Sequence, residues 1–184
     1  MQTPSLTPSS ALAFAAHDAQ PRWYALHTCS RHEKRVYDQL SAKGIESFLP
    51  LYGSQRRWKD RKVALDLPLF PGYMFVHVPF AERLRVLQLP GAVKLVSARG
   101  QALPLEDSEI ENLRRGLAAG GRAEPHPFLA VGHQVRIIAG PFAGATGILL
   151  RKKDDFRVVL SVNLIMRSVA IEVDACDVEP AGRA

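Results

Sequence analysis

The chain has 184 residues, 47% of them hydrophobic, with a formal charge of +6 and two cysteines. That length and apolar content can bury one core or two small ones, and the charge points to an acidic partner such as nucleic acid. Cys29 and Cys176 are too few for a disulfide framework or a four-cysteine metal site within one chain and fit a reducing cytoplasm, while no run approaches the roughly 18 apolar residues of a membrane-spanning helix.

Residues 1–21, rich in Ser, Thr, Pro and Ala, lack the basic start and apolar centre of a signal peptide and are expected to be a disordered tail. Arg22–Thr28 reads as a strand, with Trp23, Ala25 and His27 on one face and Tyr24, Leu26 and Thr28 on the other. A helix follows, with Ser30 and Glu33 at capping-box spacing, Val36 and Leu40 as an apolar stripe and Gly44 as its stop. Ile45–Leu51 is expected to be extended as far as Pro50. The basic run Arg56-Arg57-Trp58-Lys59-Asp60-Arg61-Lys62 then reads as a hairpin loop between strands, continuing into Val63–Leu67.

Phe70-Pro71-Gly72-Tyr73 comes next, a rigid turn in which Pro71 fixes φ and Gly72 is free to take φ > 0, and it leads into strand Tyr73–Val78. A short helix over Ala81–Leu87, with Leu84 and Leu87 as core residues, precedes strand Ala92–Ser97. A further helix over Asp107–Leu117 carries Ile110, Leu113 and Leu117. The order β-α-β-β-α-β with an added helix predicts an α+β, ferredoxin-like domain over 22–117, built on an antiparallel sheet with helices.

Residues 118–130, with Gly120, Gly121, Pro125 and Pro127, read as a flexible linker. Over 131–184, the segments Gln134–Ala139, Thr146–Arg151, Arg157–Val162 and Ser168–Val173 have the spacing of a small all-β barrel. Gly140, Gly144 and Gly147 read as turn glycines of a hairpin, since no lysine and helix follow as a phosphate loop needs. Charge separates the two halves: Lys plus Arg against Asp plus Glu stands at 16 to 10 over 22–117 and at 7 to 6 over 131–184.

Three groups of residues carry candidate chemistry. Phe70 and Tyr73 flank the rigid turn and fit either core packing or an interface anchor, whereas Phe75 reads as core. The basic run places Trp58 among phosphate-seeking charges, which suits nucleic-acid stacking as well as a solvated hairpin tip; Arg31, Lys34, Arg35 and Lys43 lie on or beside the first helix. His27, Cys29 and His32 allow a metal or thiol centre in principle. They straddle a strand end and a helix start with no further ligand cluster, so neither metal, cofactor nor catalysis is expected there.

Arg22-Trp23-Tyr24, His32-Glu33-Lys34-Arg35-Val36 and Phe70-Pro71-Gly72-Tyr73 resemble the N-terminal domain of the NusG family of transcription elongation factors. Val135-Arg136 through Gly140-Pro141-Phe142-Ala143-Gly144 to Gly147-Ile148 resembles its KOW motif, of the SH3-like barrel kind. The resemblance spans about residues 22–180 in the same domain order. It implies a non-enzymatic, monomeric, cytoplasmic factor that binds across the RNA polymerase cleft without contacting membrane. Tyr24, Phe70, Pro71 and Tyr73 would face the clamp of the largest subunit, and Glu82, Arg83, Leu84 and Arg85 the opposing gate loop. Gln39 and Lys43, with Arg56, Arg57, Trp58, Lys59, Arg61 and Lys62, would approach upstream or non-template DNA. The KOW residues Gly140, Pro141, Phe142, Gly144 and Gly147 mark a module for recruiting a further partner such as a ribosomal protein.

Housekeeping members carry a phenylalanine-glycine-arginine element between the last barrel strands. Here Asn163-Leu164-Ile165-Met166-Arg167-Ser168 stands in its place, which is closer to the specialised RfaH and UpxY type and favours an operon-specific antiterminator. Some such paralogues refold the second module as a helical hairpin; the Val and Ile content here predicts a resting β barrel. The rival readings are a general housekeeping factor and an RNA-binding or ribosome-associated protein.

Overall fold

A computed structural model describes residues 19–58, 61–98, 101–126, 132–152, 155–162 and 165–181. The N-terminal tail up to residue 18, Lys59, and Asn163 and Leu164 therefore lie outside the described residues. In chain order the first half runs β1 (Pro21–Thr28), α1 (Glu33–Ala42), β2 (Ser47–Phe48), β3 (Leu51–Trp58), β4 (Arg61–Pro68) and β5 (Tyr73–Pro79). It continues with α2 (Arg83–Leu87), β6 (Ala92–Leu95), the short pair β7 (Ser97–Ala98) and β8 (Gln101–Ala102), and α3 (Asp107–Ala118). The second half is β9 (Ala123–His126), β10 (Gln134–Ile137), β11 (Thr146–Lys152), β12 (Asp155–Val162), β13 (Arg167–Val173) and β14 (Val178–Pro180).

The first sheet has the order β2-β5-β1-β6 and is antiparallel throughout, the ferredoxin-like arrangement with the β3–β4 hairpin inserted ahead of β5. The period-2 alternation read in β1 is realised. Tyr24 and Leu26 pack with Val36 and Leu40 of α1 and Val86 of α2, while Trp23 and Ala25 join Phe70, Phe75 and, from α3, Ile110 and Leu113. One face thus has two helices and the other only α3, which leaves apolar area there to be covered. The second half covers it: Val135, Ile137, Phe142, Val158, Val169 and Ile171 belong to the same buried cluster as Phe70 and Phe75.

The second half forms a six-stranded antiparallel sheet of order β14-β10-β11-β12-β13-β9, here called the β-module. Its β structure agrees with the reading from Val and Ile content.

Several local expectations change. Ser30 does not cap the first helix: Arg31 takes φ 64°, which carries the chain round before the helix, and His32 stands at the cap position without a side-chain capping bond. The basic run is less a loop than the paired ends of two strands, Trp58 lying opposite Arg61. In the second helical segment Phe80–Glu82 is a 3-10 turn, and the buried residue of α2 is Val86; Leu84 is 57% exposed and Leu87 half-buried. Five residues are too few for periodicity to fix which face meets the sheet, so the turn after Pro79 decides it.

Gly147 is not in a turn. It lies inside β11, where a Cβ would meet Val159 O at 2.5 Å and Val158 Cγ1 at 2.7 Å, so close strand packing is what requires glycine. Over 118–130, read as flexible linker, Ala118 ends α3 and residues 123–126 form β9, paired with β13. Gly and Pro composition hid this strand, and Pro125 is tolerated because β9 is an edge strand.

Candidate functional site

Phe70 to Tyr73 form a tight turn closed by the Tyr73 N–H donating to Phe70 O at 2.9 Å. With Pro71 second and Gly72 third at φ 81°, it has the residue pattern of a type II turn. Two further bonds pin it to the first sheet and helix. Thr28 N–H donates to Gly72 O at 2.9 Å, and Gly72 N–H donates to Glu33 Oε1 at 2.8 Å. Glu33 is buried at the first turn of α1, where a carboxylate is also favoured by the helix dipole. The residue read as half of a capping box therefore holds the turn that aims Phe70 and Tyr73.

Those two rings point to different surroundings. Phe70 is 1% exposed, edge-on to Phe75 with ring centroids 5.6 Å apart. Tyr73 is half-buried, tilted over His27 at 5.1 Å and with the Arg167 guanidinium 5.8 Å from its ring centroid. Arg167 belongs to β13, so the β-module reaches this turn. Beside Phe70 a cleft of about 270 Å³ is lined by Glu109 and Leu113 of α3 and by Gly144, Ala145, Thr146 and Val169 of the β-module. Tyr24 does not share this face: it lies on the opposite side of the sheet, 6.0 Å from the Phe80 ring.

The contact between the halves centres on Phe142. The loop bearing it is stapled, with Gly144 N–H donating to Ile137 O at 2.8 Å and Ala145 N–H to Phe142 O at 3.1 Å; Gly140 and Gly144 take φ 82° and 91°. The Phe142 ring is 2% exposed and lies against the end of α3. There Gly120 N–H donates to Leu117 O and Gly121 N–H to Gly116 O, a Schellman ending with Gly120 at φ 81°. A Cβ on Gly116 would overlap the Phe142 ring, with Cγ at 2.7 Å, and one on Gly121 would meet Cζ at 2.8 Å. Two glycines thus make the socket. Sequence reasoning had Phe142 only as part of a motif and missed the socket; the signal available was Gly116 in a helix interior, a costly position for glycine without a packing reason.

Other candidate residues lie apart from this contact. On α2, Leu84 and Arg85 are exposed, Arg85 is ion-paired to Glu82, and Arg83 stacks its guanidinium 4.5 Å from the Phe80 ring centroid. On α1 and its end, Lys34, Arg35 and Lys43 are exposed and Gln39 is half-buried. Arg56, Arg57 and Trp58 belong to β3, and Arg61 and Lys62 to β4. His27 is half-buried with Nδ1 unpartnered among the described groups, Cys29 is exposed, and His32 Nδ1 lies 3.0 Å from Ser30 O. Among the described residues no group of three or more His, Cys, Asp or Glu is placed to hold a metal ion, and no helix is long and apolar enough to cross a membrane.

A charged cluster borders the Trp23 side of the same face. Arg114 lies 5.0 Å over the Trp23 ring and bonds Glu46 at 3.2 Å, and Glu46 meets His77 Nδ1 at 2.8 Å while His77 stacks on Trp23 at 5.0 Å. Burial by itself raises the Glu46 pKa, but the hydrogen bonds from His77 and Arg114, reinforced by their charges, outweigh it and hold the carboxyl below its ordinary value.

Comparison with known proteins adds a second line of observation. The family model described as transcription termination factor nusG matches residues 21–114. The transcription termination/antitermination protein NusG of Pseudomonas aeruginosa is 25% identical, over 86% of this chain and 97% of its own. That of Thermus thermophilus is 26% identical over 86% and 98%, and that of Staphylococcus aureus strain N315 is 29% identical over 86% and 94%. Among solved structures, the one described as domain interaction in Thermotoga maritima NusG superposes with a TM-score of 0.56 at 24% identity, covering 90% of this chain and 99% of that one.

Proposed function

Since the chain belongs to the NusG family of transcription termination/antitermination factors, we propose that it is a non-enzymatic factor that binds RNA polymerase through the Phe70–Tyr73 turn and suppresses pausing or termination. The observation that carries this reading is the covered state of that turn. Phe70 is an aromatic at the end of a rigid, triply bonded turn, yet it lies in one buried cluster with β-module residues, and the cleft beside it is walled by α3 and by Gly144, Ala145, Thr146 and Val169 of the β-module. An apolar face sealed by a second half of the same chain is one that another protein can claim when that half leaves. The Thermotoga maritima relative is likewise described by a domain interaction.

In this reading Phe70, Pro71 and Tyr73 face the polymerase clamp, and Tyr24 supports them from the far side of the sheet. The exposed Leu84 and Arg85, with Glu82 and Arg83, face the gate loop. Gln39, Lys43 and the basic strands β3 and β4 lie toward DNA. The β-module, once released, is free for a further partner such as a ribosomal protein. The covered face and the Asn163–Ser168 departure together support an operon-specific, cytoplasmic factor whose activity is held back until recruitment, over a general one.

Transcript elongation by purified bacterial polymerase tests the function. Added chain shortens pauses and co-elutes with core enzyme; unchanged pausing with no co-elution would sink the proposal. A biosynthetic gene cluster beside the gene is the expected genomic setting for the operon-specific form.

A further inference from the structure

The four residues 119–122 are all that separates the end of α3 from the start of β9, and β9 is paired with β13. While that pairing holds, the β-module is tied to α3 by a span of roughly 14 Å at full extension. If β9 leaves β13, the chain free between α3 and β10 becomes residues 119–133, a reach of roughly 50 Å. Strand pairing therefore sets tether length.

Several features make β9 a weakly held edge of its sheet. It is an edge strand of four residues, paired on one side only. Pro125 contributes no N–H, Glu124 and Pro125 are exposed, and Ala123 and His126 are only half-buried. A charge ladder across three strands adds to its lateral hold: Arg157 of β12 pairs with Glu124 of β9 and, at 3.5 Å, with Glu172 of β13, while Arg122 lies 3.9 Å from Glu172. Ion pairs on carboxylates this exposed hold weakly and are screened by salt. By contrast β13, the strand it pairs with, buries Val169, Ala170 and Ile171.

We propose that β9 is a stored length of tether: zipped onto β13 it keeps the β-module against α3, and peeled away it lets the module leave the Phe70 face and reach far from it while the rest of the sheet stays folded. This concerns the chain alone and goes beyond the polymerase reading, so its test needs no polymerase.

The experiment locks the strand in the full chain. Glu124 and Ala170 face each other in the pairing register, a separation compatible with a disulfide. Glu124→Cys and Ala170→Cys are introduced with Cys29→Ser and Cys176→Ser to remove competing thiols, in a Phe142→Glu background that expels the ring from its glycine socket. Small-angle scattering then compares the oxidised and reduced forms, and amide exchange follows β11 and β12. The reduced form is expected to show a larger radius of gyration and longer maximum dimension than the oxidised one, with β11 and β12 amides equally protected in both. Equal dimensions in the two redox states, whether compact or extended, overturn the proposal. So does expansion accompanied by loss of protection in β11 and β12, which would mean the module unfolds as a unit.

Discussion

Phe142 packs its ring against the backbone of Gly116, so closely that no side chain fits at 116 while the ring is in place. The relationship is a steric one across the two halves of the chain, and it can be broken from the α3 side without touching either Phe142 or Phe70. Gly116→Ala should evict the ring, because the added Cβ overlaps it. The same change favours α3 itself by about 1 kcal/mol, since alanine suits a helix interior better than glycine. The expected outcome is an N-terminal half at least as resistant to urea as before, with the β-module released. Amide exchange on the full chain checks this: faster exchange around the Phe142 loop with α3 unchanged or slower.

Truncating the ring addresses the same contact from the other side. Phe142→Ala removes a fully buried aromatic and should weaken the packing of the two halves by about 3 kcal/mol or more. Limited proteolysis should then cut between residues 119 and 133 at a much higher rate than in the wild type.

Glu33 joins the first helix to the turn that presents Phe70. Its buried carboxylate accepts the Gly72 N–H, so Glu33→Ala leaves a donor unsatisfied and should cost about 1–3 kcal/mol, with Glu33→Gln milder because an acceptor oxygen remains. Urea denaturation monitored on the N-terminal half measures both. A loss equal for the two substitutions would mean that charge, not the Gly72 bond, is what matters.

The Glu46 cluster sets a pH dependence. Because the folded-state pKa of Glu46 lies below its unfolded value, its contribution to stability is present above the ordinary glutamate value of about 4.3 and is lost as pH falls through that value toward the folded pKa. The carboxylate is half-exposed, so the effect is modest. Denaturation midpoints for wild type and Glu46→Gln should therefore differ near pH 6 and converge in the acid range; midpoints that diverge on acidification would contradict the assignment.

Much of this was legible in the residues themselves, and what was not has physical reasons. The alternation of Trp23, Tyr24, Ala25 and Leu26 already assigned them to two faces, and the structure keeps that assignment. The same alternation places Tyr24 away from Phe70, so grouping them on one surface by resemblance was the weaker inference. Pro71-Gly72 announced its turn because proline and glycine restrict backbone angles locally. By contrast Leu84, expected in the core, is exposed and Val86 is the buried residue, because a five-residue helix has no period to read. Strand β9 was masked by Pro and Gly composition, and the Phe142 socket by its nature: it joins residues 116, 121 and 142 through the absence of side chains, which no local pattern records.

The central claim is that the turn at Phe70 and Tyr73 is a polymerase-binding surface held under the β-module. Its most direct test is the affinity of the full chain for purified core RNA polymerase, compared between wild type, Gly116→Ala and Gly116→Ala combined with Tyr73→Ala. The account predicts that Gly116→Ala binds several-fold more tightly than wild type and that adding Tyr73→Ala removes the gain and weakens binding by about 2 kcal/mol. Binding by none of the three, or a Gly116→Ala chain that binds no more tightly than wild type, would contradict it.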